Sequence, residues 1–136
     1  MGMQNSAEIS HVLGVDFGSS KVGLAVADME TKIAFALITL KNNADLMNNL
    51  VKIISEKEIG KIIVGVTKYA NQEDQAKKNF GAKLIEKFNL PVEYQNEMFT
   101  TKMAQNNIKE TGVKNIAQKD DQESAKIILQ SWLDRR

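Results

Sequence analysis

Gly14-Val15-Asp16-Phe17-Gly18-Ser19-Ser20-Lys21-Val22-Gly23-Leu24-Ala25-Val26-Ala27-Asp28 is the stretch that decides how this chain folds. Apolar residues run from Val12 to Phe17 and again from Val22 to Ala27, separated by Gly18, Ser19, Ser20 and Lys21, which is the pattern of a β-hairpin. The acidic Asp16 interrupts the first run. A carboxylate inside an apolar strand is costly unless it is paired, solvated or bound to metal. Gly14 and Gly18 flank it, removing side chains where a phosphate or ion would approach the backbone. Asp-x-Gly alone also describes a turn-capping aspartate. The strand and hairpin around Asp16 favour the functional reading.

Outward from the hairpin, the turn Asp28 to Lys32 leads into a third apolar run, Ile33 to Leu40, so the fold opens as a meander. From Asn43 the period changes. Leu46, Leu50, Ile53 and Ile54 lie at helical spacing, and Gly60 is the expected stop. Ile62 to Val66 is continuously apolar, as befits a strand covered on both faces. A second helix is expected from about Asn71 to Phe88, with Ala76, Phe80, Leu84 and Phe88 marking its inner face. Pro91, the sole proline, introduces a short strand, Val92 to Gln95. Thr100 or Thr101 can cap a helix reaching about Glu110. Gly112 opens a polar loop, and a last helix runs from Asp120 or Asp121 to near Leu133. The order β-β-β-α-β-α-β-α-α predicts an α/β fold, a mixed five-stranded sheet with helices on both faces.

The totals bound what chemistry this fold can carry. A chain of 136 residues suits one domain, expected over residues 11–136 behind a flexible N-terminus, residues 1–10. The absence of cysteine excludes thiolate metal sites and cysteine nucleophiles, and the lone His11 excludes a multi-histidine zinc cage. Carboxylates remain, and they favour hard cations such as Mg²⁺ or Mn²⁺. No apolar run approaches a membrane span and the start lacks a signal-peptide pattern, so no membrane partner and a cytoplasmic location are expected. The net charge of +1 neither demands nor forbids nucleic acid, because phosphate affinity depends on local patches. Lys102, Lys109, Lys114 and Lys119 form one such series, although lysines of this kind are commonly just a solvated face.

Two further acids join Asp16. Asp121, Ala125, Ile128 and Trp132 follow i, i+4, i+7, i+11, which puts Asp121 on the stripe facing the sheet. Asp120 and Glu123 have capping-box spacing, so Asp120 can cap while Asp121 projects towards Asp16. Glu97 falls one residue beyond the strand that Pro91 begins, at the carboxyl end where ligand sites of α/β sheets gather.

Together these segments resemble the Holliday-junction-resolvase-like family, also described as pre-16S ribosomal RNA nucleases, over about residues 12 to 133. The opening motif is matched by Gly14 to Asp28, and a Gly-Leu-Pro motif in part by Gly65, Val66 and Thr67. An Asp-Glu-Arg-x-Thr-Thr segment is matched by Asn96, Glu97, Met98, Phe99, Thr100 and Thr101, followed by Ala104. The closing Asp-x-x-Ala-Ala is matched by Asp121 to Ala125, running into Ile127, Ile128, Leu129 and Gln130. The resemblance implies a ribonuclease H-like fold with strand order 3-2-1-4-5. It also implies catalytic and metal-binding roles for Asp16, Glu97 and Asp121 with Mg²⁺ or Mn²⁺, two ions being expected. Gly18, Lys21, Thr100, Lys114 and Lys119 are expected to contact substrate. Asn96 and Met98 depart from the family's acid and arginine.

The implied reaction is metal-dependent hydrolysis of phosphodiesters, two ions ~3.5–4 Å apart activating water and stabilising the leaving oxygen. The substrate would be precursor ribosomal RNA, in ribosome biogenesis, or branched DNA, handled by a monomer or a homodimer. An actin-like or sugar-kinase ATPase shares the Asp-x-Gly hairpin, but the chain has neither a second such hairpin nor room for one. A nucleic-acid or ribosome-associated binding protein that has lost cleavage is the stronger rival, motivated by Asn96 and Met98.

Overall fold

The opening hairpin forms because its turn can close tightly on glycine. In the computed structural model, which describes residues 11–66, 72–96 and 121–136, β1 (His11–Phe17) pairs antiparallel with β2 (Lys21–Asp28). The Gly18 amide donates to the Lys21 carbonyl at 2.9 Å, and a Cβ at position 18 would lie 2.8 Å from that same oxygen. Asn42 braces the turn from outside, its side-chain amide donating to the Gly18 carbonyl at 2.7 Å and its backbone N–H to that of Ser20 at 2.9 Å.

β3 (Ile33–Lys41) continues the meander antiparallel to β2. The chain then crosses over through α1 (Leu46–Glu56) to β4 (Ile59–Val66), parallel to β1. It crosses again through α2 (Gln72–Phe88) to β5 (Val92–Asn96), parallel to β4. α3 (Asp121–Leu133) closes the described chain. The sheet order is β3-β2-β1-β4-β5, as expected, and the fold is ribonuclease H-like. No helix among the described residues is long and apolar enough to cross a membrane.

Some boundaries differ from the sequence pattern for local reasons. α1 starts at Leu46 rather than Asn43, because the Asn43 side chain accepts the Asp45 N–H at 2.9 Å and makes a turn there instead. Gly60 is not the stop of α1. It lies inside β4, and Glu58 makes the reversal at a left-handed φ of 51°. Asn89 ends α2 in the same conformation, at φ 55°, a position that Asn tolerates well. The helix expected from Thr100 or Thr101 and the loop Thr111 to Lys119 lie outside the described residues.

Two cores form, one on each face of the sheet. Leu13, Val15, Val22, Leu24, Ile62 and Val64 pack against Leu46 and Leu50 of α1 and Phe80 and Leu84 of α2. On the other face, Val12, Ala25, Ala27, Ala34 and Ile63 meet Ala125, Ile128, Leu129, Trp132 and Leu133 of α3. β1 and β4 feed both, which is why their sequences read as continuous apolar runs. Each fully buried Leu, Ile or Val contributes ~1.5–3 kcal/mol. α3 lies so close that a Cβ at Gly14 would stand 2.7 Å from Leu129 Cβ.

Candidate active site

The register of the sheet determines which side chains gather at its carboxyl end. Asp16 pairs directly with Gly23 on β2, and Gly23 pairs with Thr39 on β3. Directly opposed residues of antiparallel strands share a face. Gly14, two residues before Asp16, faces Ala125 and Leu129, so alternation puts the Asp16 side chain on the α3 face as well.

α3 begins over this row. A Cβ at Gly23 would collide with the carbonyl of Asp121 and the backbone N of Gln122, so the first turn of the helix rests on bare β2 backbone. The Gln122 N–H donates to the Thr39 hydroxyl at 3.1 Å, and that hydroxyl donates to Gln122 Oε1 at 3.2 Å. One orphan donor of the helix N-terminus is thereby satisfied from β3. Asp120, the expected local cap, lies outside the described residues. Asp121 thus starts α3 against Gly23, the cross-strand partner of Asp16. Both aspartates are partly exposed.

β4 and β5 run parallel to β1 and end together, Val66 pairing with Asn96, so three strand ends open on one side. Glu97 follows Asn96 in sequence and lies outside the described residues, as do Thr100, Lys114 and Lys119. Gly18 forms the hairpin turn. Lys21 is exposed and shares the face of Gly23 by alternation. Among the described residues, no group of three or more carboxylates or imidazoles forms a metal-binding set. Asp16 and Asp121 are hard oxygen donors of the kind Mg²⁺ or Mn²⁺ takes, and the bare backbone at Gly23 leaves them room to approach each other.

A cavity of about 280 Å³ opens beside Asp16, lined by Phe17, Gly18 and Ser19 of the hairpin and by Ala76 and Lys77 of α2. The Phe17 and Phe80 rings stack with centroids 4.3 Å apart and clamp α2 against the end of β1. Lys77 is only 6% exposed and Asp74, one turn earlier, 5%. The inner face of α2 therefore runs through Lys77, Phe80 and Leu84, while Ala76, expected on that face, is exposed. Sequence reasoning missed Lys77 because its charge hid it. The i, i+3, i+7 spacing to Phe80 and Leu84 was the signal that could have found it.

The other end of α3 carries a different arrangement. Glu93 on β5 accepts from Lys61 Nζ at 2.6 Å, Trp132 Nε1 at 2.9 Å and Arg136 at 3.2 Å. The hydrogen bond from Lys61 and then that from Trp132 hold its carboxyl below the ordinary glutamate value, against the opposing effect of burial.

Comparison with known proteins agrees with this fold. The chain is 31% identical over 132 residues to a protein of Maridesulfovibrio salexigens, covering 91% of this chain and 98% of the relative. It is 32% identical over 135 residues to one of Porphyromonas gingivalis, covering 93% and 97%. Both are provisionally named pre-16S rRNA nuclease. Among solved structures, T. thermophilus RuvC in complex with a Holliday junction superposes with a TM-score of 0.60 at 17% identity, over 93% of this chain and 94% of that one. Fowlpox virus resolvase with junction DNA gives 0.58 at 11%, over 92% and 97%. A family model, RuvX, described as Holliday junction resolvase, matches residues 10–135, and the chain belongs to that nuclease family.

Proposed function

We propose that this chain is a metal-dependent nuclease that hydrolyses phosphodiester bonds in structured nucleic acid, with precursor ribosomal RNA as its substrate and the four-way DNA junction as the alternative. The observation that carries this reading is the seating of α3's first turn on Gly23, which brings Asp121 to the cross-strand partner of Asp16 at the carboxyl end of the sheet. The names of the relatives support the RNA substrate, and the junction complexes of the structural neighbours support the DNA one.

Asp16 and Asp121 would hold Mg²⁺ or Mn²⁺, with Glu97 as the third donor. Such ions, when bound as a pair, supply an activated water and stabilise the leaving oxygen of the phosphodiester. The chain's own residues set the stage. Thr39 fixes Gln122 and so orients the turn that carries Asp121. The bare backbone at Gly23 lets that turn approach β1. Lys21, exposed on the same face, attracts the phosphate backbone. Cytoplasmic action follows from an RNA-precursor substrate.

Labelled precursor RNA and labelled junction, each incubated with Mn²⁺ and with chelator, provide the test. Cleavage that needs the metal and falls at least about 100-fold in Asp16→Asn and in Asp121→Asn is expected, a larger loss than that of a residue that only orients a ligand. Binding without cleavage would favour the scaffold reading motivated by Asn96 and Met98. Resolution of a junction by paired cuts needs two active sites and hence a homodimer, whereas a monomer suffices to trim RNA. Sedimentation with each substrate distinguishes these.

A further inference from the structure

We infer that Lys77 is a substrate-phosphate ligand of this site, its ammonium group binding a phosphate oxygen in the cavity beside Asp16. The inference deepens the nuclease reading and rests on it. Lysine is among the residues least often buried, and a buried ammonium is costly without compensation. Lys77 is nevertheless 6% exposed, on the inward stripe of α2 where Phe80 and Leu84 follow it. Lys77 and the equally buried Asp74 both keep partners within the fold, so the lysine is held in place at the wall of the cavity.

The position is built rather than incidental. Phe80 stacks on Phe17, the residue after Asp16, so the turn of α2 that carries Lys77 is held over the end of β1. Lys77 lines the same cavity as Asp16 and the hairpin residues Gly18 and Ser19. The volume of about 280 Å³ far exceeds the ~10–15 Å³ one water needs, which leaves room for a phosphodiester group. A carboxylate end that must accept a polyanion gains from a cation set at its wall, where low exposure strengthens the attraction.

Asp74, one turn before Lys77 and 5% exposed, defines the competing role, a lysine that only balances charge within α2. Binding of the full chain to labelled junction and to labelled structured RNA, followed by anisotropy with Ca²⁺ in place of Mg²⁺, separates the two. Lys77→Met should weaken binding about tenfold, as expected for one charged hydrogen bond. The log-log salt slope should flatten by about 1, one phosphate contact fewer. Lys77→Arg should keep most of the affinity, and Mn²⁺ affinity of Lys77→Met, read by calorimetry, should hold or rise.

Unchanged affinity and salt slope in Lys77→Met would overturn the inference, and a lowered melting temperature restored by adding Asp74→Asn would then assign Lys77 to charge balance. Should Lys77→Met not fold, Lys77→Gln takes its place with the same readings. A wild-type chain that binds neither nucleic acid overturns the nuclease reading and this inference together. Wild-type binding with an indifferent Lys77 variant overturns this one alone.

Discussion

The two ends of α3 handle carboxylates in opposite ways. At the C-terminal end one carboxylate, Glu93, is met by Lys61, Arg136 and the Trp132 indole, and both cations also lie over the indole ring, at 5.3 and 4.3 Å from its centre. At the N-terminal end two aspartates come to one edge instead. Asp16 faces the side on which Asp121 begins the helix, and Glu123 follows in the same first turn. The first arrangement is what a fold uses to anchor an element, with donors matched to acceptors. The second leaves two partly exposed aspartates on one open edge, where an acid suits the start of a helix and can also meet a cation.

The largest effect on stability should come from breaking the anchored end. Trp132 is 4% exposed, packs in the α3 core and ties that core to Glu93. Trp132→Ala should cost ~3–5 kcal/mol in chemical denaturation, by loss of the buried ring and of the cavity's contacts. A cost under ~1 kcal/mol would mean that the anchor is dispensable.

Next comes the seat of the other end. Gly23→Ala would push a methyl group into the Asp121 carbonyl, which is backbone and cannot rotate away. Overpacking of this kind costs ~1–3 kcal/mol. Because relief must come from lifting the first turn of α3, nuclease activity should fall further than stability. Equal loss of activity in Gly23→Ala and in Trp132→Ala, at matched stability, would erase the functional distinction between the ends.

Much of this comparison was legible in the sequence. The stripe Asp121, Ala125, Ile128, Trp132 fixed the register of α3, since one wide apolar face admits only one rotation of the helix. The glycines around Asp16 marked the hairpin, because turn closure and close helix approach both exclude side chains. The Glu93 anchor was invisible, since its partners stand 32 to 43 residues away in sequence and none breaks a local pattern. Gly60 misled because glycine serves equally as a helix stop and as a strand residue. Lys77 was passed over for Ala76 because both fit the spacing to Phe80 and Leu84, and hydrophobicity decides such ties wrongly where the charged residue is the one buried. Glu97 and the lysines Lys114 and Lys119 rest on sequence alone.

A smaller effect is expected from Glu93 itself. Its carboxyl titrates below the ordinary glutamate range in the folded chain, so its stabilising contribution is fully present above about pH 4.5 and is lost as pH falls through the lowered folded value. Its side chain is 41% exposed, so water screens the pairs and Glu93→Gln should cost no more than about 1 kcal/mol at pH 7. The gap in melting temperature between wild type and Glu93→Gln should narrow as pH is lowered from 5 towards 3. A gap that stays constant would place the stabilisation in packing rather than in charge.

The smallest effect on stability should be that of Asp16→Asn, although its effect on cleavage should be the greatest. Asparagine keeps the shape and one acceptor oxygen of the aspartate, removes its charge and puts a donor NH2 in place of the second oxygen. With Asp121 starting α3 over the cross-strand partner of Asp16, removal of one of the two charges should leave the metal-free variant within ~0.5 kcal/mol of wild type or above it. With Mn²⁺ added the order should reverse. Wild type gains stability as the ion binds the folded state, by an amount that rises with the logarithm of ion concentration, and the variant gains less. Melting curves in chelator and across a Mn²⁺ series check both halves. Strong destabilisation of Asp16→Asn in chelator would make Asp16 a second anchor of the Glu93 kind, and the contrast between the two ends of α3 would be lost.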